Sequence, residues 1–194
     1  MGYETQRFLV VDTETTGLSL DRVRLLEIAA IPVVDGVICD KEIFHEIVNP
    51  GVVVPRSVSV LHGIRGETLV GKPRPRTILK SFLNFSRDSI LVMQNGWFDI
   101  RVINKELWLA KLPPMRNPYI DTAIIARKIF GGRRNYSLPE ILKRLGMYHN
   151  WKRHRALDDA WVTAEAFIKM MEILGGPNAI ARFIRYQRRS HGNE

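Results

Sequence analysis

Apolar positions along this 194-residue chain repeat every second residue early on and every third or fourth residue later. That switch predicts a set of hairpin-linked strands followed by alternating strands and helices. Residues 7–11 (Arg-Phe-Leu-Val-Val) read as a short buried strand ending at Asp12. Residues 25–34 and 37–48 flank Asp35-Gly36, a dipeptide suited to a two-residue hairpin turn. Pro32 has no N–H to give a ladder, so it predicts a bulge or a sheet edge. Residues 50–75 are rich in Gly and Pro and read as irregular, with a short helix around 58–62. Residues 76–85 carry Ile78, Leu79, Phe82, Leu83 and Phe85 at helical spacing.

Alternation follows. Residues 89–93 predict a buried strand, and 97–110 a helix with Ile100, Ile103, Leu107 and Trp108 on one stripe. Residues 119–120 form a brief strand before Asp121, which can cap a helix over 122–130. Ser137 caps a helix over 137–145, with Pro139 in its first turn and Gly146 beyond its end. The longest helix, 156–174, stops at Gly175-Gly176. Pro177 then opens a last helix carrying Arg182, Arg185, Arg188 and Arg189. The chain thus divides into a domain over 1–174 and a basic extension over 175–194.

With 45% hydrophobic and 25% charged residues the chain is globular rather than disordered. Its length suits a single domain that buries roughly 70% of its unfolded surface. The lone Cys39 can form no internal disulfide, and no paired Cys/His spacing suggests structural zinc. No apolar run approaches the roughly 20 residues of a membrane span. The first residues also lack the apolar core of a signal peptide, so a soluble cytosolic protein is expected. Charge is unevenly placed: residues 1–100 hold 11 basic and 12 acidic side chains, residues 101–194 hold 18 and 8. A half-chain that basic favours a polyanionic partner, because neutralised phosphates release condensed counterions.

Three segments carry candidate chemistry. In V-V-D-T-E-T-T-G-L, residues 10–18, period-2 alternation points Asp12 and Glu14 to one strand face. Two carboxylates so close repel unless a cation lies between them, and Mg²⁺ or Mn²⁺ prefers such oxygens. Gly17 permits a tight exit that lets a substrate approach the backbone. In L-V-M-Q-N-G-W-F-D, residues 91–99, Asp99 falls in the first turn of a helix, where acids also merely complement the dipole. In H-R-A-L-D-D-A, residues 154–160, Asp159 opens the long helix. His154, five positions earlier, belongs to a mobile loop before it. Each segment alone is a common pattern.

Together and in this order they resemble the DEDD-type 3′–5′ exonucleases of the histidine-bearing DEDDh branch. That branch includes the proofreading epsilon subunit of bacterial DNA polymerase III. Weaker matches at Leu26-Glu27-Ile28, Asn49-Pro50, His62-Gly63-Ile64 and Asp121-Thr122 extend the likeness over residues 8–167. Two positions depart from many relatives, Gln94 in place of histidine and Gly96 in place of alanine. The resemblance implies a ribonuclease H-like α/β fold with a mixed sheet flanked by helices. It implies Asp12, Glu14, Asp99 and Asp159 as ligands of two Mg²⁺ or Mn²⁺ ions, with His154 as general base. Thr15, Thr16, Leu61, His62 and Phe98 would contact the terminal nucleotide. The expected activity is hydrolysis of single-stranded DNA 3′ ends to nucleoside 5′-monophosphates, in proofreading or repair, with a DNA polymerase as a further partner. Action on RNA 3′ ends is the alternative, and a catalytically silent nucleic-acid-binding module a third reading.

Overall fold

The computed structural model describes residues 6–132, 135–147, 151 and 154–187. In chain order they form β1 (Phe8–Thr15), β2 (Leu25–Val34), β3 (Val37–Ile38), β4 (Phe44–Ile47), α1 (Arg56–His62), α2 (Pro75–Phe85), β5 (Ile90–Met93) and α3 (Trp97–Leu109). Then come β6 (Tyr119–Asp121), α4 (Thr122–Phe130), α5 (Leu138–Arg144), α6 (Ala156–Leu174) and α7 (Pro177–Ile180). The sheet runs β3-β2-β1-β5-β6, with β4 also paired to β2. β1 lies antiparallel to β2 but parallel to β5, and β5 is parallel to β6. This is the mixed sheet that the alternation predicts.

Period-2 alternation splits the sheet into two buried faces. Phe8, Val10, Ala29, Ile31 and Val33 pack against α4, α5 and α6. Leu9, Val11, Ile28, Ala30, Leu91 and Met93 pack against α2 and α3. Phe8 meets Phe167 of α6 edge to face, with ring centroids 5.1 Å apart. Each large side chain so buried contributes about 1.5–3 kcal/mol relative to exposure. β1 is covered by α6 on one face and by α3 on the other, so both helices can deliver side chains to its end.

The structure departs from the sequence expectations in four places. The first strand continues through Asp12 to Thr15, because β2 pairs with it along that whole length. The strand expected over 37–48 is split: β2 pairs with β3 through Val33 and Val34 and with β4 through residues 27–30. The ladder is thus irregular opposite Pro32 as expected, while the β1–β2 register stays regular there and shifts only between Glu14 and Thr15. The Pro32 carbonyl accepts from the Cys39 N–H at 2.9 Å, so the missing N–H faces the gap between β3 and β4, where no ladder needs it. Trp108 leaves the buried stripe of α3 and stands 75% exposed, since it lies ~80° around the helix from Ile100. Finally, the helix opened by Pro177 stops at Ile180.

Beyond it, Arg182 sits in a 3₁₀ turn and Arg185 exchanges backbone hydrogen bonds of 2.8 Å with Tyr119 at the sheet edge. Ile180 is fully buried, and Gln187 bonds Asn104 and the Asn117 carbonyl. The start of the basic extension therefore packs into the same fold; Arg188 and Arg189 lie outside the described residues. Among the described residues, no helix is long and apolar enough to cross a membrane.

Candidate active site

β1 outruns its parallel neighbour. β5 pairs only with Phe8, Leu9 and Val10, whereas β1 continues five residues to Thr15. The β5 side of Asp12–Thr15 is thus left open at the strand's C-terminal end, where an open α/β sheet forms a crevice. After Met93 the chain turns away through Asn95, at φ 55°, and Gly96 into α3. A Cβ on Gly96 would stand 2.5 Å from the Met93 Cβ, so glycine lets the helix start this close to the strand. Asp121, the cap of α4, accepts from the Asn95 N–H at 3.1 Å and the Ala123 N–H at 3.0 Å. One half-buried carboxylate thereby clamps the turn that carries Asp99.

Parity places the acids. Asp12 and Glu14 share the α6 side of the sheet with Val10, while Thr13 points to the α3 side. There the Thr13 hydroxyl donates to Asp99 Oδ1 at 2.6 Å. From α6, Asp159 receives the indole N–H of Trp151 on Oδ1 and the His154 backbone N–H on Oδ2, both at 2.8 Å. His154 lies just before α6 with φ 62°, exposed. Its ring, the Glu14 carboxylate and the Asp159 carboxylate each bring one ligand atom within 4.8 Å of the others. The five residues singled out by the three motifs converge on one strand end.

The electrostatics are those of an anionic cluster short of cations. Burial raises Asp12 well above the usual carboxylate range, and the charges of Asp99, Asp159, Glu14 and Glu27 push it further. Glu14 is pushed up to about 8 by burial, then by Asp159, Glu27 and Asp99, with Arg155 opposing. Burial also raises Asp99, to about 6, although the hydrogen bond from Thr13 draws it down. Such oxygens, held together against their own repulsion, fit a hard divalent cation.

Glu27 lies directly opposite Glu14 across β1 and β2, fully buried. Burial would raise it, but hydrogen bonds from His45, Arg155 and the Ala156 N–H, with the Arg155 charge, hold it at about 2. Its oxygens meet Arg155 Nη2 at 2.7 Å, His45 Nε2 at 2.7 Å and the Ala156 nitrogen at 3.1 Å. This acid fastens the first turn of α6 to the sheet. Sequence reasoning reached Glu27 only as part of a weak match; the signal available was one acid inside an otherwise apolar strand, Leu25–Val34.

Of the remaining candidates, Thr15 ends β1, Thr16 follows it, and His62 lies against the Thr15 backbone. The Thr15 hydroxyl donates to the Gly17 carbonyl at 2.9 Å, and Gly17 has φ 153°, which side-chain-bearing residues rarely adopt. Thr16 Oγ1 accepts from the Arg24 N–H at 2.9 Å. Leu61 is exposed, while His62 beside it is buried. His62 Nδ1 accepts from the Ile64 N–H, and its other ring nitrogen is buried toward the Thr15 backbone. Burial lowers its pKa. Phe98 packs against the α3-side core with its edge toward Trp97, centroids 5.9 Å apart.

Comparison with known proteins gives a consistent picture. The family model RNase_T, described as Exonuclease, matches residues 9–167. The chain is 37% identical over 185 residues to the DNA polymerase III subunit epsilon of Aquifex aeolicus, covering 95% of this chain and 90% of that protein. It is 36% identical to the PolC-type DNA polymerase III of Thermotoga petrophila, covering 89% of this chain but 12% of that protein. Among solved structures, Exonuclease X in complex with 5′ overhanging duplex DNA superposes with a TM-score of 0.71 at 26% identity, over 88% of this chain and 94% of that one. The nuclease domain of 3′hExo, a DEDDh family member bound to rAMP, gives 0.80 at 16% identity over 97% and 99%, a likeness of fold.

Proposed function

Because the chain belongs to the exonuclease family, we propose that it removes nucleotides from single-stranded DNA 3′ ends, releasing nucleoside 5′-monophosphates, with a DNA polymerase as its working partner. The observation that carries the site assignment is the approach of Glu14, His154 and Asp159 within 4.8 Å, beside Asp12 and the buried Asp99, whose charges repel. Asp12, Glu14, Asp99 and Asp159 would hold two Mg²⁺ or Mn²⁺ ions. When bound, such ions supply Lewis-acid charge to the phosphoryl oxygens and make a water more acidic.

The chain's own groups do the rest. In its neutral form the His154 imidazole accepts a proton from the attacking water, whose oxygen bonds to phosphorus as the P–O3′ bond breaks. The departing 3′ oxygen takes up a proton, so atoms and charge balance. Asp159 fixes the loop by accepting from the His154 backbone N–H, which leaves the imidazole free to turn toward the strand end. Its exposure lets the captured proton pass to solvent. The Thr15–Gly17 exit brings backbone close to the terminal nucleotide, with Thr16 tied to Arg24. By the same reading Leu61, which is exposed, would wedge against the last bases, and His62 and Phe98 would contact the terminal nucleotide.

End-labelled single strands test the reading directly. With Mg²⁺, a 3′ label should leave at once as a mononucleotide while a 5′ label shortens stepwise, and EDTA should stop both. Cleavage unaffected by EDTA would defeat the metal assignment. Matched DNA and RNA strands decide the polymer, and a faster RNA reaction would make the chain an exoribonuclease.

A further inference from the structure

We propose that the outward stripe of α3, formed by Trp97, Arg101 and Trp108, is a stacking track for the strand running back from the reacting 3′ end; this rests on the exonuclease reading above. Trp97 is 55% exposed and Trp108 75% exposed. At 100° per residue, positions 97, 101 and 108 fall within ~40° of one another, with Asn104, which bonds the Met115 N–H and Gln187, flanking the line between Arg101 and Trp108. The Arg101 guanidinium lies 5.8 Å from the centre of the Trp97 ring. Trp97 stands two residues before Asp99 and touches Phe98, so the line starts at the catalytic end of the sheet.

The exposed charge on α3 itself has one sign. The acids of α3 are Asp99 and Glu106, both buried, and Glu106 is paired with Arg24 at 2.7 Å. Lys105 gives its ammonium to the carbonyls of Leu20, Asp21 and Val23, pinning the helix to the loop that follows β1. At the C-terminal end of α3, beside Leu109 and Ala110, opens a groove of about 370 Å³ whose lining includes Arg24, Arg74, Arg76 and Lys111. Isolated exposed tryptophans are ordinary; two on one line, with cations between and beyond them, match what a single strand needs. Bases stack on indoles whatever their identity, and cations neutralise the phosphates. The eleven helical steps from Trp97 to Trp108 span ~16 Å, about five nucleotides at stacked spacing.

The test compares oligothymidylates of two and eight nucleotides with the intact protein in Mg²⁺. Trp108→Ala should raise KM for the eight-mer about ten-fold and leave kcat and the two-mer KM unchanged. Trp108→Phe, which keeps an aromatic face, should restore most of the loss. Separately, in EDTA, the eight-mer should quench tryptophan fluorescence in the wild-type protein more than in Trp108→Ala. If no strand of any length is cleaved, the exonuclease reading fails, and the fluorescence titration still decides whether the track exists. An eight-mer KM and quench that ignore Trp108→Ala overturn the proposal and leave the stripe to a protein partner, for which exposed Trp and Arg are equally suited.

Discussion

Glu14 and Glu27 face each other across two neighbouring strands, yet their surroundings drive them in opposite directions. Glu14 is held up at about 8 and Glu27 down at about 2. Around Glu27 the hydrogen-bonding partners are built in: an arginine, a histidine and a helix N–H. Around Glu14 other carboxylates outweigh the charge of Arg155, which is already paired with Glu27. The first region spends its charge on holding α6 to the sheet. The second keeps its charge unmet, which is what a cation-dependent reaction centre requires. Burial alone therefore says little about an acid's task; the count of donors around it separates anchor from ligand.

The comparison breaks most sharply at the anionic cluster. Replacing Asp12, Glu14, Asp99 or Asp159 by Ala should lower kcat by roughly 10³-fold or more, given several kcal/mol of lost charge stabilisation. Double replacements should add little, because groups acting as a unit are non-additive. Asp12→Asn should meanwhile raise Tm in EDTA, since it removes a repelled charge. A lower Tm would show that Asp12 already has a compensating partner. His154→Ala should cost roughly 10²–10⁴-fold in kcat, the worth of general acid–base catalysis. Calorimetric Mn²⁺ titration of that variant should still show binding.

The anchor should answer in stability. Glu27→Gln leaves Arg155 without its partner, and its Tm should fall by about 5–15 °C, measured by calorimetry with EDTA present. A drop in kcat beyond that expected from unfolded protein would mean that Glu27 also tunes the reaction. pH sharpens the contrast. Glu14 binds its proton more tightly when folded, so stability in EDTA should fall as pH rises from 4.5 to about 8. Glu27 binds its proton less tightly when folded, so stability should fall again as pH drops from 4.5 toward 2. Added Mg²⁺ should flatten the alkaline decline and leave the acid one; an alkaline decline identical with and without Mg²⁺ would remove Glu14 from the metal site. The smallest effect is expected at the start of the extension, where Arg182 and Arg185 are exposed. If each meets one phosphate, Arg182→Ala with Arg185→Ala should reduce the salt slope of single-strand affinity by roughly 1.4.

Much of this site was legible before any coordinates, because its chemistry lies in local patterns. Period 2 puts Asp12 and Glu14 together, and helix starts announce Asp99 and Asp159. Glu27 was not legible as an anchor, because its partners Arg155 and Ala156 lie more than a hundred residues away. Nor was the end of the last helix. Residues beyond Ile180 carry no strong stop signal, and it is the unpaired edge of β6 at Tyr119 that draws Arg185 into an extended bridge. Trp108 differs for another reason: it is apolar like the stripe, but its angle, ~80° from Ile100, sets it on the exposed side.

The alternation along β1 has one more effect. Asp12 and Glu14 serve one face and Thr13 the other, so a single strand feeds helices on both sides of the sheet. Losing one residue between Val10 and Asp12 would exchange those faces, turning both acids toward α3 and the threonine toward α6. The chain's reading frame of side chains, in that sense, is as much a part of the reaction centre as the carboxylates. One-residue deletions in β1 should be far less tolerated than conservative substitutions at the same positions.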